Sequence, residues 1–276
     1  MAKAHGLDLA RVAGSGPGGR VVRADVLAAL EKGVAPQAAP AAAGAPTGEL
    51  LSVAQEIPIA GVRKVIFKNM HLSLATQAQL TLHTEASAAA VMRLRDRMNA
   101  AGGAKVSYNA VLVKVIAQAL RQHPLVNAAV DGEVVRVWRQ VHVGVAMDLG
   151  RGLIVPKVRD ADRKSIREIS AELDRLVEAA KAGTLALDDL TMGTFTLTNL
   201  GAWDIDDFTP IVNHPESAIL GVGRIVSKPV ARDGQVVVEP CVALSLSFDH
   251  RIIDGAPGAA FLKTIKDYVE EPALML

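Results

Sequence analysis

Apolar positions from about residue 55 onward follow two different periods. Residues 78–86, AQLTLHTEA, alternate apolar and polar side chains as a half-buried strand does. Residues 107–122, SYNAVLVKVIAQALRQ, have apolar side chains at 111, 112, 115, 116, 119 and 120, which is helical spacing. Strand and helix signals are interleaved, so the pattern predicts an α/β (α+β) body.

One further helix has signals at both ends. Ser165 followed by Glu168 is typical of a capping box, and we expect the helix to run to about Ala182, with Gly183 as its stop. Six more segments have strand-like patterns, at 133–139, 141–147, 193–199, 217–223, 234–240 and 241–249. Several follow one another closely, as in hairpins, which predicts a largely antiparallel or mixed sheet.

A change in composition divides the chain. Residues 34–48, VAPQAAPAAAGAPTG, contain almost only Ala, Pro, Gly and small polar residues, which bury too little apolar area to offset their ordering entropy. We therefore predict a small module over 1–33, a flexible linker over 34–54 and a large body over 55–276.

Composition argues against several classes of function. Thirty Lys and Arg residues face 29 Asp and Glu residues, so neither nucleic acid nor an anionic membrane is an expected partner. The chain lacks a long apolar run and a signal-peptide pattern, so we expect a cytoplasmic protein. Cys241 is the single cysteine and lies in a strand-like run, which indicates a buried thiol.

Other common sites lack their context. Gly14, Gly16 and Gly19 match the dinucleotide fingerprint literally, but the strand before it and the acidic residue after it are missing, so we interpret them as a structured loop between two short helices. The seven histidines form no i, i+4 pair, and we expect no metal site.

His250 ends the apolar strand pattern CVALSLSFDH and allows two interpretations. Its parity matches Val242 to Phe248, which favours a buried, hydrogen-bonded histidine. Its neighbours favour a general base instead, because Asp254 follows in a polar turn and Gly255 can relax the backbone before a helix.

Thr194, Thr196 and Thr198 share one face of the predicted strand GTFTLTN, and Asn199 starts the turn. Threonine is an ordinary strand residue, yet a hydroxyl at a strand end is also a suitable oxyanion donor.

Together these segments resemble the dihydrolipoamide acyltransferase (E2) component of 2-oxo acid dehydrogenase complexes. The family motif H-x-x-x-D-G matches His250, Asp254 and Gly255, and its GTFT-x-TN-x-G motif matches residues 193–201. The segments F-x-PI at 208–211 and AILGVG at 218–223 follow in the family order. The resemblance implies a chloramphenicol acetyltransferase-like, coenzyme A-dependent fold, with a mixed sheet and packed helices.

The N-terminal residues resemble the peripheral subunit-binding domain of the same family, a small helical module. Its GLDL-x-x-V-x-G-x-GPGGR-x-x-x-x-DV pattern matches residues 6–26. Since only a few residues precede the match, we expect this module to be incomplete at its N-terminus, with the lipoyl group carried on a separate domain or chain.

The resemblance also implies a mechanism and partners. His250 would be the base in acyl transfer between dihydrolipoamide and coenzyme A, and Thr198 the oxyanion donor from a neighbouring chain of a homotrimer. Asp254 would be a structural brace paired with Arg63, although Arg251 is nearer in sequence, while Gly255 and Asn199 would support the site. Larger cores built from trimers, E1 and E3 subunits bound through the module, and a lipoyl domain complete the expected partners.

Three functions stay open on the sequence. The first is an acyltransferase that favours acetyl or branched-chain acyl groups over succinyl. The second is a non-catalytic core of such a complex, which would not need His250, Asp254 and Thr198 together. The third is a free-standing coenzyme A-dependent acetyltransferase, which would not need the N-terminal module.

The linker composition generates a first prediction. Limited proteolysis should cut between residues 34 and 50 and release a body with full activity, because an unpacked segment is the preferred substrate of a protease. Mass spectrometry of the fragments checks this, and first cuts inside 55–276 would contradict it.

Overall fold

The computed structural model describes residues 12–31, 52–148, 150 and 152–275. The chain divides into two compact units, residues 1–58 and 59–276. The first helix expected in the small module and most of the expected linker lie outside the described residues, so the domain boundaries stay a prediction.

In the first unit, a glycine-containing loop leads into helix α1, Arg23–Glu31. The carboxylate of Asp25 closes this loop, since it accepts hydrogen bonds from the Ser15 hydroxyl at 2.6 Å, the Ser15 amide at 2.9 Å and the Val22 amide at 2.9 Å. These bonds, chiefly the one from the Ser15 side chain, hold the pKa of Asp25 below its ordinary value. The loop before α1 is therefore structured, as the sequence predicts.

The second unit contains six described helices: α2 Gly61–Thr76, α3 Ala89–Ala100, α4 Tyr108–Gln122, α5 Ile166–Ala182, α6 Leu187–Leu190 and α7 Gly255–Glu270. Its described strands are β1 Gln79–Ser87, β2 Ala128–Asp131, β3 Val134–Val137, β4 Val143–Val145, β5 Met147–Asp148, β6 Leu153–Ile154, β7 Lys157–Val158, β8 Phe195–Asn199, β9 Ala218–Arg232 and β10 Gln235–Asp249.

Six strands form one mixed sheet in the order β1, β10, β9, β8, β4, β7. Strand β8 is parallel to both of its neighbours, and the other pairs are antiparallel. Helices α3, α4 and α7 pack on the sheet, where Phe195, Leu197 and Phe248 are fully buried. Helix α7 comes so close to β10 that a Cβ at Gly258 would lie 2.7 Å from the Phe248 ring. This core fixes the faces and ends of β8 and β10, from which the predicted site residues project.

The helix predictions are confirmed where end signals were present. Helix α4 follows Ser107, whose hydroxyl accepts a hydrogen bond from the Ala110 amide. Helix α5 has the predicted capping box of Ser165 and Glu168, and Gly183 ends it in the left-handed conformation, with φ 71°. Local capping chemistry alone determines these ends, so they could be predicted from sequence.

Several strand bounds differ from the prediction. Segments 234–240 and 241–249 form one continuous strand, β10, because the partner β9 pairs along almost all of it. Segment 141–147 divides instead into β4 and β5, which belong to different sheets. Strand length therefore depends on the partner strand, which a local pattern does not contain.

Candidate functional site

His250 lies directly after β10, where the chain leaves the core. Val242, Leu244, Leu246 and Phe248 on the same face are buried, whereas the His250 side chain is 44% exposed. The interpretation as a buried core histidine is therefore wrong: the strand ends at Asp249 and the turn carries the imidazole out into solvent. An accessible imidazole can exchange a proton with a bound substrate.

Hydrogen bonds on both sides hold the backbone at His250. Its amide donates to the Ala78 carbonyl at 2.8 Å, and the amide of Asp249 donates to the Ser217 carbonyl at 2.9 Å. These bonds extend the two ladders of β10 beyond its last paired residue. The backbone that carries the imidazole is therefore hydrogen-bonded to the sheet and is not part of a free loop.

Asp254 is the N-cap residue of α7, and its side chain is 84% exposed. Among the described residues the group that lies beside it is the His250 imidazole, with 3.8 Å between the Oδ1 and Nδ1 atoms. That distance is too long for a hydrogen bond. Within the described chain Asp254 pairs with neither Arg63 nor Arg251, so the expected brace is not formed inside one chain.

Arg251 pairs with a different carboxylate, that of Asp249. Asp249 is fully buried, and Arg251 donates to it from Nε at 3.0 Å and from Nη2 at 2.6 Å. Burial alone would raise the pKa of the Asp249 carboxyl, but the hydrogen bonds from Arg251 outweigh burial and lower that pKa. This role was not predicted, although the sequence contains a signal for it: a carboxylate and an arginine two residues apart on either side of His250.

Arg63 and Gly255 do not reach the base in one chain. Arg63 lies exposed in the first turn of α2, beside a groove lined by Ile66, Phe67 and Leu74. Gly255 has no positive φ, and a Cβ there would meet no atom of the described chain within 4 Å. Neither the backbone nor the described surroundings require glycine at 255, so its predicted support of the site stays a prediction.

Thr198 lies near the end of β8, and its hydroxyl has no hydrogen-bond partner within the described part of the chain. It shares a strand face with Thr196, whereas Leu197 on the other face is buried against the helices. A half-buried hydroxyl without an internal acceptor is available to a bound substrate.

Asn199 fixes the turn that follows Thr198. Its Oδ1 accepts from the Gly201 amide at 2.9 Å, and its Nδ2 donates to Oδ1 of Asn109 on α4 at 2.9 Å. An apolar cavity of about 440 Å³ adjoins it on the helix side, lined in part by Val111, Val222 and Val242. Asn199 therefore ties the end of β8 to the helical layer.

His250 and Thr198 are far apart in one chain. Thr198 pairs with Gly221 on β9, and Gly221 pairs with Ser245 on β10. His250 follows Ser245 by five residues, which is about 16 Å along a strand, and two strand spacings add about 10 Å across the sheet. Because a donor and a base must both contact one reacting group, these two residues of the same chain cannot form one site.

A buried ion pair spans the part of the sheet from β7, at its edge, to the segment before β9. Lys157 on β7 and Glu216 before β9 are 3% and 2% exposed, and their Nζ and Oε1 atoms lie 2.9 Å apart. Glu216 also accepts from the Thr196 hydroxyl at 2.5 Å and from Asn213 Nδ2 at 2.9 Å. Both carboxylate oxygens of Glu216 are therefore hydrogen-bonded, which offsets part of the cost of burying its charge.

Two glycines make room for the Lys157 side chain. A Cβ at Gly144 would lie 2.6 Å from Lys157 Nζ, and a Cβ at Gly193 would lie 2.5 Å from Lys157 Cε and 2.7 Å from Glu216 Oε1. Gly144 lies within β4 and Gly193 lies two residues before β8, the two strands that the lysine crosses, so the first residue of the predicted GTFT motif has a packing role.

Among the described residues, no cluster of His, Cys, Asp or Glu is suited to hold a metal ion. Likewise, none of the described helices is long and apolar enough to span a membrane.

Comparison with known proteins gives matches along the whole chain. The family model for 2-oxoacid dehydrogenase acyltransferases (catalytic domain) matches residues 52–276, and the E3 binding domain model matches residues 1–27. The acetyltransferase component of the Bacillus subtilis acetoin cleaving system is 38% identical over 280 residues, and that of its pyruvate dehydrogenase complex is 39% identical over 292 residues.

These alignments cover 100% of this chain and 68% and 66% of the two relatives. The chain thus spans about two thirds of the length of the relatives it matches. Among solved structures, the cubic core of the pyruvate dehydrogenase multienzyme complex superposes with a TM-score of 0.78 and 31% identity, covering 84% of this chain and 97% of that chain. The shared fold includes the mixed sheet with its packed helices.

The glycine packing generates a second prediction. Gly193→Ala should lower the free energy of unfolding by about 3 kcal/mol, because the new Cβ displaces a buried ion pair. Denaturant unfolding at fixed protein concentration measures this. In a Lys157→Ala, Glu216→Ala background, which lacks the atoms that the new Cβ would meet, the same substitution should cost less, and an equal cost in both backgrounds would disprove the packing role.

Proposed function

The chain belongs to the 2-oxoacid dehydrogenase acyltransferase family, and we propose that it transfers an acyl group between the thiol of dihydrolipoamide and the thiol of coenzyme A. The observation that carries the proposal is an exposed imidazole, His250, held by backbone hydrogen bonds at the end of a core strand. Acetyl is the acyl group we assign, since both relatives are named as acetyltransferase components.

His250 begins the reaction as a general base. A thiol with a pKa of about 8.5 is mostly protonated at pH 7, and only the thiolate attacks well. The imidazole takes the proton of the attacking thiol, and the thiolate then adds to the thioester carbonyl. When the tetrahedral intermediate collapses, the departing thiolate takes that proton from His250, so the enzyme ends in its starting state.

Thr198 acts on the oxyanion of the tetrahedral intermediate. A hydroxyl without an internal acceptor can donate to the developing negative charge without first breaking another bond. Since the Thr198 and His250 of one chain are separated along and across the sheet, the donor comes from a second chain. Each complete site therefore lies between two chains.

The second chain is another copy of this protein in a homotrimer. Helix α2 exposes a set of large apolar side chains, Val62, Val65, Phe67 and Leu74, each more than half exposed. An apolar face of this kind is typical of a surface that another chain covers. The similarity to a cubic core supports further assembly of trimers into a larger core.

The first unit supports membership of a multienzyme complex. Residues 1–27 match a domain described as E3 binding, and E1 and E3 subunits are the partners we propose for it. Coenzyme A acts as a substrate, and the lipoyl group arrives on a separate domain or chain. A free-standing acetyltransferase would not use such a module.

Replacing the base should stop the chemistry. His250→Ala and His250→Asn should each lower kcat by about 10²-fold to 10⁴-fold while the oligomer stays assembled. The assay is acetyl transfer from acetyl-dihydrolipoamide to coenzyme A, with size-exclusion chromatography for assembly. His83→Asn on β1 is the control, since it removes a histidine away from the turn, and near-normal turnover in His250→Ala would exclude His250 as the base.

Removing the donor should slow the same step. Thr198→Ala should lower kcat by about 10²-fold, because one oxyanion hydrogen bond is lost. Thr198→Ser keeps the hydroxyl and should retain most of the rate. An unchanged kcat in Thr198→Ala would mean that the oxyanion is stabilised elsewhere.

A further inference from the structure

The residues on both sides of His250 are bound to each other. The carboxylate of Asp249 accepts from the amide of Arg251 at 3.1 Å as well as from its guanidinium nitrogens. The carbonyl of Asp249 accepts from the amides of Ile252 and Ile253 at 3.0 and 3.1 Å. One buried residue thus organises the whole turn that presents the imidazole.

We call the hydrogen-bonded pair of Asp249 and Arg251 the clamp. Chain segments on both sides of β10 hold it to the sheet. Oδ1 of Asp249 lies 3.3 Å from the Ala78 amide, and Gln77 Nε2 donates to the Glu216 carbonyl at 2.8 Å. Residues 77–78 and 216–217 therefore flank the end of β10 and are joined to each other. Movement of the His250 backbone would break several of these hydrogen bonds together.

We propose that Asp249 and Arg251 are positioning residues for His250. Their hydrogen-bonded pair fixes the turn that carries the base. The inference deepens the proposed function and rests on His250 being the general base. Asp249 performs the bracing that the sequence analysis assigns to Asp254, because Asp249 is buried and paired whereas Asp254 is exposed. The pair does not contact the substrate; it acts through the position of the imidazole.

Geometry gives the expected size of the effect. A displacement of about 1 Å in a catalytic group can cost about 10²-fold in rate. Loss of the pair should therefore lower kcat. It should leave KM for acetyl-dihydrolipoamide and for coenzyme A unchanged, because the pair contacts neither substrate. A pair that served stability alone would change the unfolding transition and leave kcat at the wild-type value.

The test compares Arg251→Met and Arg251→Lys in the full-length chain, in acetyl transfer to coenzyme A. Arg251 is 43% exposed, but Arg251→Met leaves the buried Asp249 carboxylate without its cation, so size-exclusion chromatography and thermal unfolding check that both variants fold. We expect Arg251→Met to lower kcat by about 10-fold to 10²-fold at constant KM. Arg251→Lys should recover part of the loss, since lysine keeps the charge but cannot form the two-pronged bond.

The matched control is Arg232→Met on the β9–β10 hairpin. Arg232 forms the same type of two-pronged pair with Glu239, at 2.9 and 3.0 Å, on an exposed surface away from His250. The kcat of Arg232→Met should equal that of the wild type. The double variant Asp249→Asn, Arg251→Gln removes both charges, avoids an unpaired buried carboxylate and should also have a lowered kcat.

Each outcome is decisive. An inactive wild type would disprove the proposed function and, with it, the role of the clamp in catalysis, whereas an active wild type tests the clamp alone. With an active wild type, the clamp is overturned if the Arg251 variants match Arg232→Met in kcat, or if KM rises at constant kcat. It is also overturned if Arg251→Met fails to fold and Arg251→Lys turns over at the wild-type rate, because the pair would then be structural only.

Discussion

The pairing of β10 between β1 and β9 is the constraint on which the other features depend. β1 pairs with the last nine residues of β10 and β9 pairs with most of that segment on the other side, and the alternate side chains of β10 fill the core beneath α7. A one-residue slip would turn Leu244, Leu246 and Phe248 to the opposite face, so the register is strongly specified. The same register determines where the strand ends and hence where His250 emerges.

This register also separates the two halves of the site. β8 runs parallel to β9 and β10 runs antiparallel to it, so Thr198 and His250 lie toward opposite ends of the sheet. The buried pair of Lys157 and Glu216 lies on the other side of β8, where it connects β7 to the segment before β9. Two separated halves are suited to a site completed by a second chain, and the exposed apolar side chains of α2 are suited to hold that chain.

Local signals predicted the parts of the fold that local chemistry determines. The cap at Ser165, the helical spacing after Ser107 and the alternation of β1 each depend on residues close in sequence. The polar turn after the strand pattern likewise predicted that the imidazole of His250 would leave the core, and the structure shows it exposed. The strand bounds of β4 and β10 were less accurate, because they depend on partner strands distant in sequence.

The carboxylates at the site show the other limit of sequence reasoning. Asp249 and Asp254 both flank His250, and a sequence does not tell which is buried. Asp249 is buried on the other face of β10, where the Ala78 amide and Arg251 donate to its carboxylate, while the start of α7 leaves Asp254 in solvent. The path of Lys157 over Gly144 and Gly193 was likewise unpredictable, since it spans segments remote in sequence.

The central claim is that each site takes His250 from one chain and Thr198 from another. It is tested most directly by mixing two inactive chains, His250→Ala and Thr198→Ala, through co-expression and measuring acetyl transfer by the mixed oligomers. Random mixing at equal amounts should restore activity at about a quarter of the interfaces, where an intact histidine meets an intact threonine. Mixed oligomers no more active than either variant alone would contradict the shared site.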